Sequence, residues 1–172
     1  REIPQDWTRY RASDPAVKGV CAGLCAAVAP DGDLYLYAEY YARNKPIGAN
    51  VEGMLDMCGN SRRLLTKQKD SSGVEWPIYE EVSSGTRFIA SVMDPATFGS
   101  KSENGMLIGQ MYNNFGIAFA PANGIKLPQM LPVMNQWLAR DPKRAHKYKK
   151  DYDGTPLMGA PKCYVIEDLK NW

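Results

Sequence analysis

Histidine is nearly absent from this 172-residue chain. His146 stands by itself, and the four cysteines, Cys21, Cys25, Cys58 and Cys163, form no Cys-x-x-Cys pair. That combination argues against the usual zinc sites, which gather four nitrogen or sulfur ligands at close spacing. The cysteines read instead as small buried thiols of a reducing compartment. Cys21 and Cys25, four apart, share a strand face, while Cys58 and Cys163 stand alone. No apolar run approaches the ~18 residues of a membrane span, and no stretch reads as a signal peptide, so no membrane partner is expected. There is no Gly-x-x-x-x-Gly-Lys-Ser/Thr loop, which excludes a P-loop nucleotide motor from these residues. Repeats and low-complexity tracts are lacking too. Large net charge is also missing: 21 basic residues against 19 acidic ones leave +2, so any affinity for nucleic acid has to come from local patches.

What is present suits one globular domain over residues 1–172. The 44% hydrophobic and 23% charged content is ordinary, and the length allows a real core. Trp7 to Ser13 reads as a first strand and Val20 to Ala29 as a second, rich in small residues. After the turn Pro30-Asp31-Gly32-Asp33, Leu34 to Tyr41 alternates as a third strand, so an antiparallel meander is expected. Asp31 and Asp33 read as turn residues. Val51, Met54, Leu55 and Cys58 follow helical spacing, predicting a helix from Ile47 to about Leu65 despite Gly53 and Gly59. The polar stretch Lys67 to Thr86 reads as an insertion or mobile loop. Arg87 to Met93 is a fourth strand, Gly116 to Ala120 a short fifth, and Leu127 to Leu138 a helix carrying Pro128 and Pro132. Tyr164-Val165-Ile166 reads as a last strand or turn. The sum is an α/β fold, a mixed sheet with flanking helices.

Two strings stand out: Tyr10-Arg11-Ala12-Ser13-Asp14-Pro15-Ala16 and Phe88-Ile89-Ala90-Ser91-Val92-Met93-Asp94-Pro95-Ala96. In each, a β-type run stops at an aspartate followed by Pro-Ala. Proline removes a ladder donor and keeps the preceding residue extended, which places each carboxylate at a strand exit. Such aspartates either cap turns, as Asp does routinely, or converge on a divalent cation. Glu39, near the end of the third strand, is a further candidate ligand; as a plain surface residue it would be solvated or lysine-paired.

These strings, together with Pro30-Asp31-Gly32-Asp33-Leu34-Tyr35-Leu36-Tyr37-Ala38-Glu39-Tyr40-Tyr41, resemble the nuclease domain of tailed-bacteriophage large terminase subunits. The resemblance extends through Gly116-Ile117, Pro121-Ala122-Asn123, the Val133/Trp137-Leu138 helix, and Cys163 before a terminal helix-like segment. It implies a ribonuclease-H-like fold that cuts concatemeric double-stranded viral DNA during genome packaging. Asp14 and Asp94 would then be catalytic ligands of a two-ion Mg²⁺ or Mn²⁺ site. The implied partners are duplex DNA and, in the whole protein, an ATPase motor domain, a small terminase subunit and a portal; the implied location is the host cytoplasm. Family members carry a further acid near the C-terminus, expected beyond Trp172. Glu167 and Asp168 precede that position, so the chain reads as a nuclease domain without its native C-terminal segment. Two alternatives stay open: a ribonuclease-H-like junction resolvase, or a DNA-binding or packaging module with an incomplete catalytic set.

Residues 140–150 carry six positive charges (Arg140, Lys143, Arg144, Lys147, Lys149 and Lys150) against Asp141. The run is either a solvated surface or a phosphate-contacting one, with Tyr148 against sugar or base. Arg62 and Arg63, with Lys67 and Lys69, form a smaller second candidate. His146 is not needed as a base where a metal ion activates water.

Overall fold

The computed structural model describes residues 3–15, 19–70, 72–102, 105–122 and 127–166. The chain is a mixed α/β protein built on a six-stranded sheet. β1 (Thr8–Asp14), β2 (Val20–Val28) and β3 (Leu34–Arg43) form the expected antiparallel meander. β4 (Ser61–Lys69) and β5 (Glu75–Val82) make a separate hairpin, and β6 (Ala90–Met93) returns to the main sheet parallel to β1. β7 (Ala120–Pro121) extends the sheet beyond β6. β8 (Asp141–Lys150) and β9 (Pro156–Ala160) form a second hairpin, and β10 (Cys163–Val165) lies parallel to β3. The sheet order is β10-β3-β2-β1-β6-β7, and among its described strands β2 alone runs against the rest.

One face of β1 is buried through Arg9, Arg11 and Ser13; the alternate residues Tyr10, Ala12 and Asp14 are exposed. On the same side of the sheet lie α1 (Ile47–Asp56) and α2 (Ile108–Asn114), which pack on β2 and β6 residues, and the β4–β5 hairpin, which Arg11 reaches through Glu81. The core joins Cys21 and Met93 to Val51, Met54, Leu55, Tyr112 and Ile117. Gly53 lets α1 approach β3: a Cβ there would fall 2.1 Å from the Tyr40 ring. The third helix, α3 (Leu127–Leu138), forms as expected and accommodates Pro132.

Four sequence expectations need correcting. The fourth strand begins at Ala90 rather than Arg87, and the fifth is Ala120–Pro121 rather than Gly116–Ala120. α1 ends at Asp56 rather than near Leu65, because Gly59 takes a left-handed φ of 70° and Asn60 N–H turns back to the Leu55 carbonyl at 2.9 Å. The polar stretch after it is not a loop. Cross-strand pairs Arg63–Glu80 and Lys69–Glu75 bind β4 to β5, and Asp70 closes their turn by accepting from Ser72 and Val74 N–H and from the Trp76 indole. Charge that looks loop-like in one dimension is thus paired across a ladder. The Asn123 and C-terminal parts of the resemblance, Glu167 and Asp168 among them, lie outside the described residues.

Among the described residues no helix is long and apolar enough to cross a membrane.

Candidate metal centre and nucleic-acid interface

β1 and β6 run side by side in the same direction, with Ser13 opposite Met93 as their last paired residues. Asp14 and Asp94 are the next residue of each strand. They therefore leave the same end of the sheet on neighbouring strands, whose backbones are ~4.8 Å apart. Both are exposed. Pro95 stops β6, and Asp94 then opens a short 3₁₀ turn, Pro95–Phe98, with its Oδ1 accepting the Ala96 N–H at 2.9 Å. The cap fixes the Asp94 side chain and leaves Oδ2 with no hydrogen-bond partner among the described residues.

Glu39 shares the face of Asp14 but not its position. The register sets Asp14 beside Ala22 and Ala22 beside Tyr41, while Glu39 falls in the row of Leu24 and Ala12. Two strand spacings and two residues of rise separate the Glu39 and Asp14 backbones by ~12 Å. Asp14 and Asp94 offer hard carboxylate oxygens of the kind Mg²⁺ and Mn²⁺ prefer. They fit part of such a site; among the described residues no cluster of three potential ligands forms.

The basic candidates divide into two groups. Arg144, on β8, pairs with buried Asp33, and Lys147 reaches Asp31 as well as the second Asp33 oxygen, the latter at 2.7 Å. Burial works against the charge of Lys147, but the two carboxylates outweigh it and lift its pKa above the ordinary lysine value. Lys147 in turn holds Asp31 below the usual carboxylate range. Tyr148 packs edge-on against Tyr35 and Tyr164, with its hydroxyl 3.2 Å from that of Tyr35. These contacts fasten the β8–β9 hairpin to the β2–β3 turn. Arg62 is likewise structural: it pairs with Glu52 and lies over the Tyr79 ring at 4.4 Å, while Arg63 pairs with Glu80. Arg140, Lys143, Lys149 and Lys150 remain exposed, with no acid in salt-bridge range among the described residues.

Asp33 is the site residue that sequence reading undervalues. It sits in a turn, as read, yet its side chain is 2% exposed because its partners arrive from 111 residues further along. A second hidden network surrounds Arg11. Its guanidinium grips both Glu81 oxygens at 3.0 and 2.8 Å, donates to Ser91 Oγ, and lies 4.6 Å from the Phe88 ring centroid. Burial disfavours this charge, but Glu81 more than compensates and raises its pKa. Nothing in the alternating pattern Thr8–Asp14 distinguishes Arg11, on the buried face, from an outward-facing arginine.

A comparison with protein-family models gives no match, and comparisons with curated proteins and with solved structures give none either.

Proposed function

We propose that the chain is a metal-dependent endonuclease of ribonuclease-H-like type that cuts duplex DNA, in the manner of a phage packaging terminase. The observation that carries this reading is the exit of Asp14 and Asp94 from adjacent parallel strands at one end of the sheet. The terminase resemblance implies a sheet in which the first and fourth strands are neighbours. β1 and β6, the first and fourth main-sheet strands in chain order, are neighbours, which supports it.

In this reading the two carboxylates concentrate negative charge where Mg²⁺ or Mn²⁺ would be held. When bound, such ions polarise a phosphodiester and activate water for in-line displacement. The work of the chain's own residues is to hold that charge in place. The Ala96 N–H orients Asp94, and the ladder to β2 and β6 fixes the backbone that carries Asp14. Arg140, Lys143, Lys149 and Lys150 supply sequence-independent phosphate contacts, which suits a nuclease whose DNA streams past it.

A second reading is a DNA-binding or packaging module with an incomplete catalytic set, which the exposed Arg140, Lys143, Lys149 and Lys150 would serve equally well. Nicking of supercoiled plasmid in Mn²⁺ separates the two. The nuclease reading expects conversion to open circles that Asp14→Asn and Asp94→Asn each abolish; the module reading expects DNA binding without conversion. Preference for four-way junctions over linear duplex would instead indicate a resolvase.

A further inference from the structure

Cys25 and Cys58 lie 33 residues apart in sequence, and neither belongs to the site above. Cys25 sits in the middle of β2 and is completely buried; Cys58 follows α1 and is 8% exposed. Their Sγ atoms are 2.9 Å apart, against ~2.05 Å for a disulfide bond. The other two thiols are placed differently. Cys21 faces the Tyr112 hydroxyl at 3.4 Å, and Cys163 is half-buried on β10.

We propose that Cys25 and Cys58 are a dithiol site for hydroperoxides, closing to a disulfide that ties β2 to the end of α1. The roles follow from placement. Cys58 is the less buried residue of the pair, and the Cys25 hydrogen bond holds its thiol below the ordinary value against the effect of burial, with the Arg11 guanidinium contributing. Cys25 is pushed the other way, by that same hydrogen bond and by burial. A peroxide reaches Cys58 before the fully enclosed Cys25, so Cys58 attacks as thiolate and Cys25 resolves.

The chemistry closes on these two residues and one hydroperoxide. The Cys58 thiolate attacks the terminal peroxide oxygen: an S–O bond forms, the O–O bond breaks, and the leaving oxygen takes a proton as water or an alcohol. Cys58 is now a sulfenic acid. Cys25 Sγ then attacks the Cys58 sulfur: the S–S bond forms, the S–O bond breaks, and water leaves with the Cys25 proton. Two thiols and one hydroperoxide give a disulfide, one water, and a second water or an alcohol. The two electrons pass from sulfur to the O–O bond.

The test treats the folded 172-residue chain with one equivalent of hydrogen peroxide, removes the excess with catalase, and alkylates under denaturing conditions. The expected result is two alkyl groups fewer than in the untreated protein, a Cys25–Cys58 cross-linked peptide on mapping, and recovery of four alkylations after dithiothreitol. In Cys25→Ser, dimedone should label Cys58; in Cys58→Ser, no dimedone should appear on Cys25. Full alkylation of all four cysteines after peroxide would overturn the proposal, as would oxidation of Cys163 or Cys21 ahead of this pair. The wild-type mapping decides the matter even if a variant fails to fold.

Discussion

Asp94 does two jobs with one side chain. Oδ1 caps the turn that follows β6, and Oδ2 has no hydrogen-bond partner among the described residues. The two jobs separate by substitution. Asp94→Asn keeps a carbonyl oxygen for the Ala96 N–H, so thermal stability should stay near that of the parent while Mn²⁺ affinity falls. Asp94→Ala should lose both, with about 1 kcal/mol of stability gone for a missing cap. Equal melting temperatures for the two variants would mean the cap contributes nothing. Asp70 offers a pH test at the same scale. Its hydrogen bonds to Ser72 and Trp76 hold its pKa down to about 2, from 3.8. A depressed carboxylate stabilises the fold fully above its unfolded value and loses that contribution as pH falls through the folded one. The Trp76 indole N–H resonance should therefore keep its hydrogen-bonded shift down to about pH 3 and change with a midpoint near pH 2. In Asp70→Asn that transition should vanish. Arg11 is the residue whose loss should cost most. Removing it strands Glu81 beside the core, so Arg11→Ala should destabilise the fold by about 3–5 kcal/mol, read by denaturant unfolding.

Elements were legible where hydrophobic alternation was strong. β1, β2, β3 and α3 stand close to their expected limits because their apolar spacing matches the period of the element they form. The β4–β5 hairpin was not legible. Its strands bury little, and its order comes from charges that meet only once the turn at Asp70 has closed. The basic run from Arg140 was visible as charge, but the role of each charge was not, since Asp31 and Asp33 lie over a hundred positions away. That division yields a prediction. Replacing Lys143, Lys149 and Lys150 with alanine should lower the salt dependence of DNA binding by up to ~2.7 log units per log salt, at ~0.9 per phosphate contact, with little change in melting temperature. Arg144→Ala should do the reverse, loosening the β8–β9 hairpin while leaving the salt slope nearly intact. If the triple variant keeps the parent slope, the β8 lysines are a solvated face.

At the scale of the whole molecule, topology turns two distant dipeptides into one location. Asp14-Pro15 and Asp94-Pro95 stand 80 residues apart, and the parallel pairing of β1 with β6 brings their exits together. The strand-stop pattern was readable because proline acts locally; the pairing was implied only by the family resemblance, because register is set by the whole core. The ligand set was readable in part. Glu39 was readable as an acid near the end of the third strand, but the register sets it two strands away from Asp14. If Asp14 and Asp94 share one cation position, Mn²⁺ titration followed by electron paramagnetic resonance will show it, because protein-bound Mn²⁺ leaves the free-ion signal. Saturable Mn²⁺ uptake is expected, falling at least tenfold in affinity in Asp14→Asn and in Asp94→Asn, with no further fall in the double variant beyond the weaker single one. Uptake unchanged in both single variants would contradict that shared position.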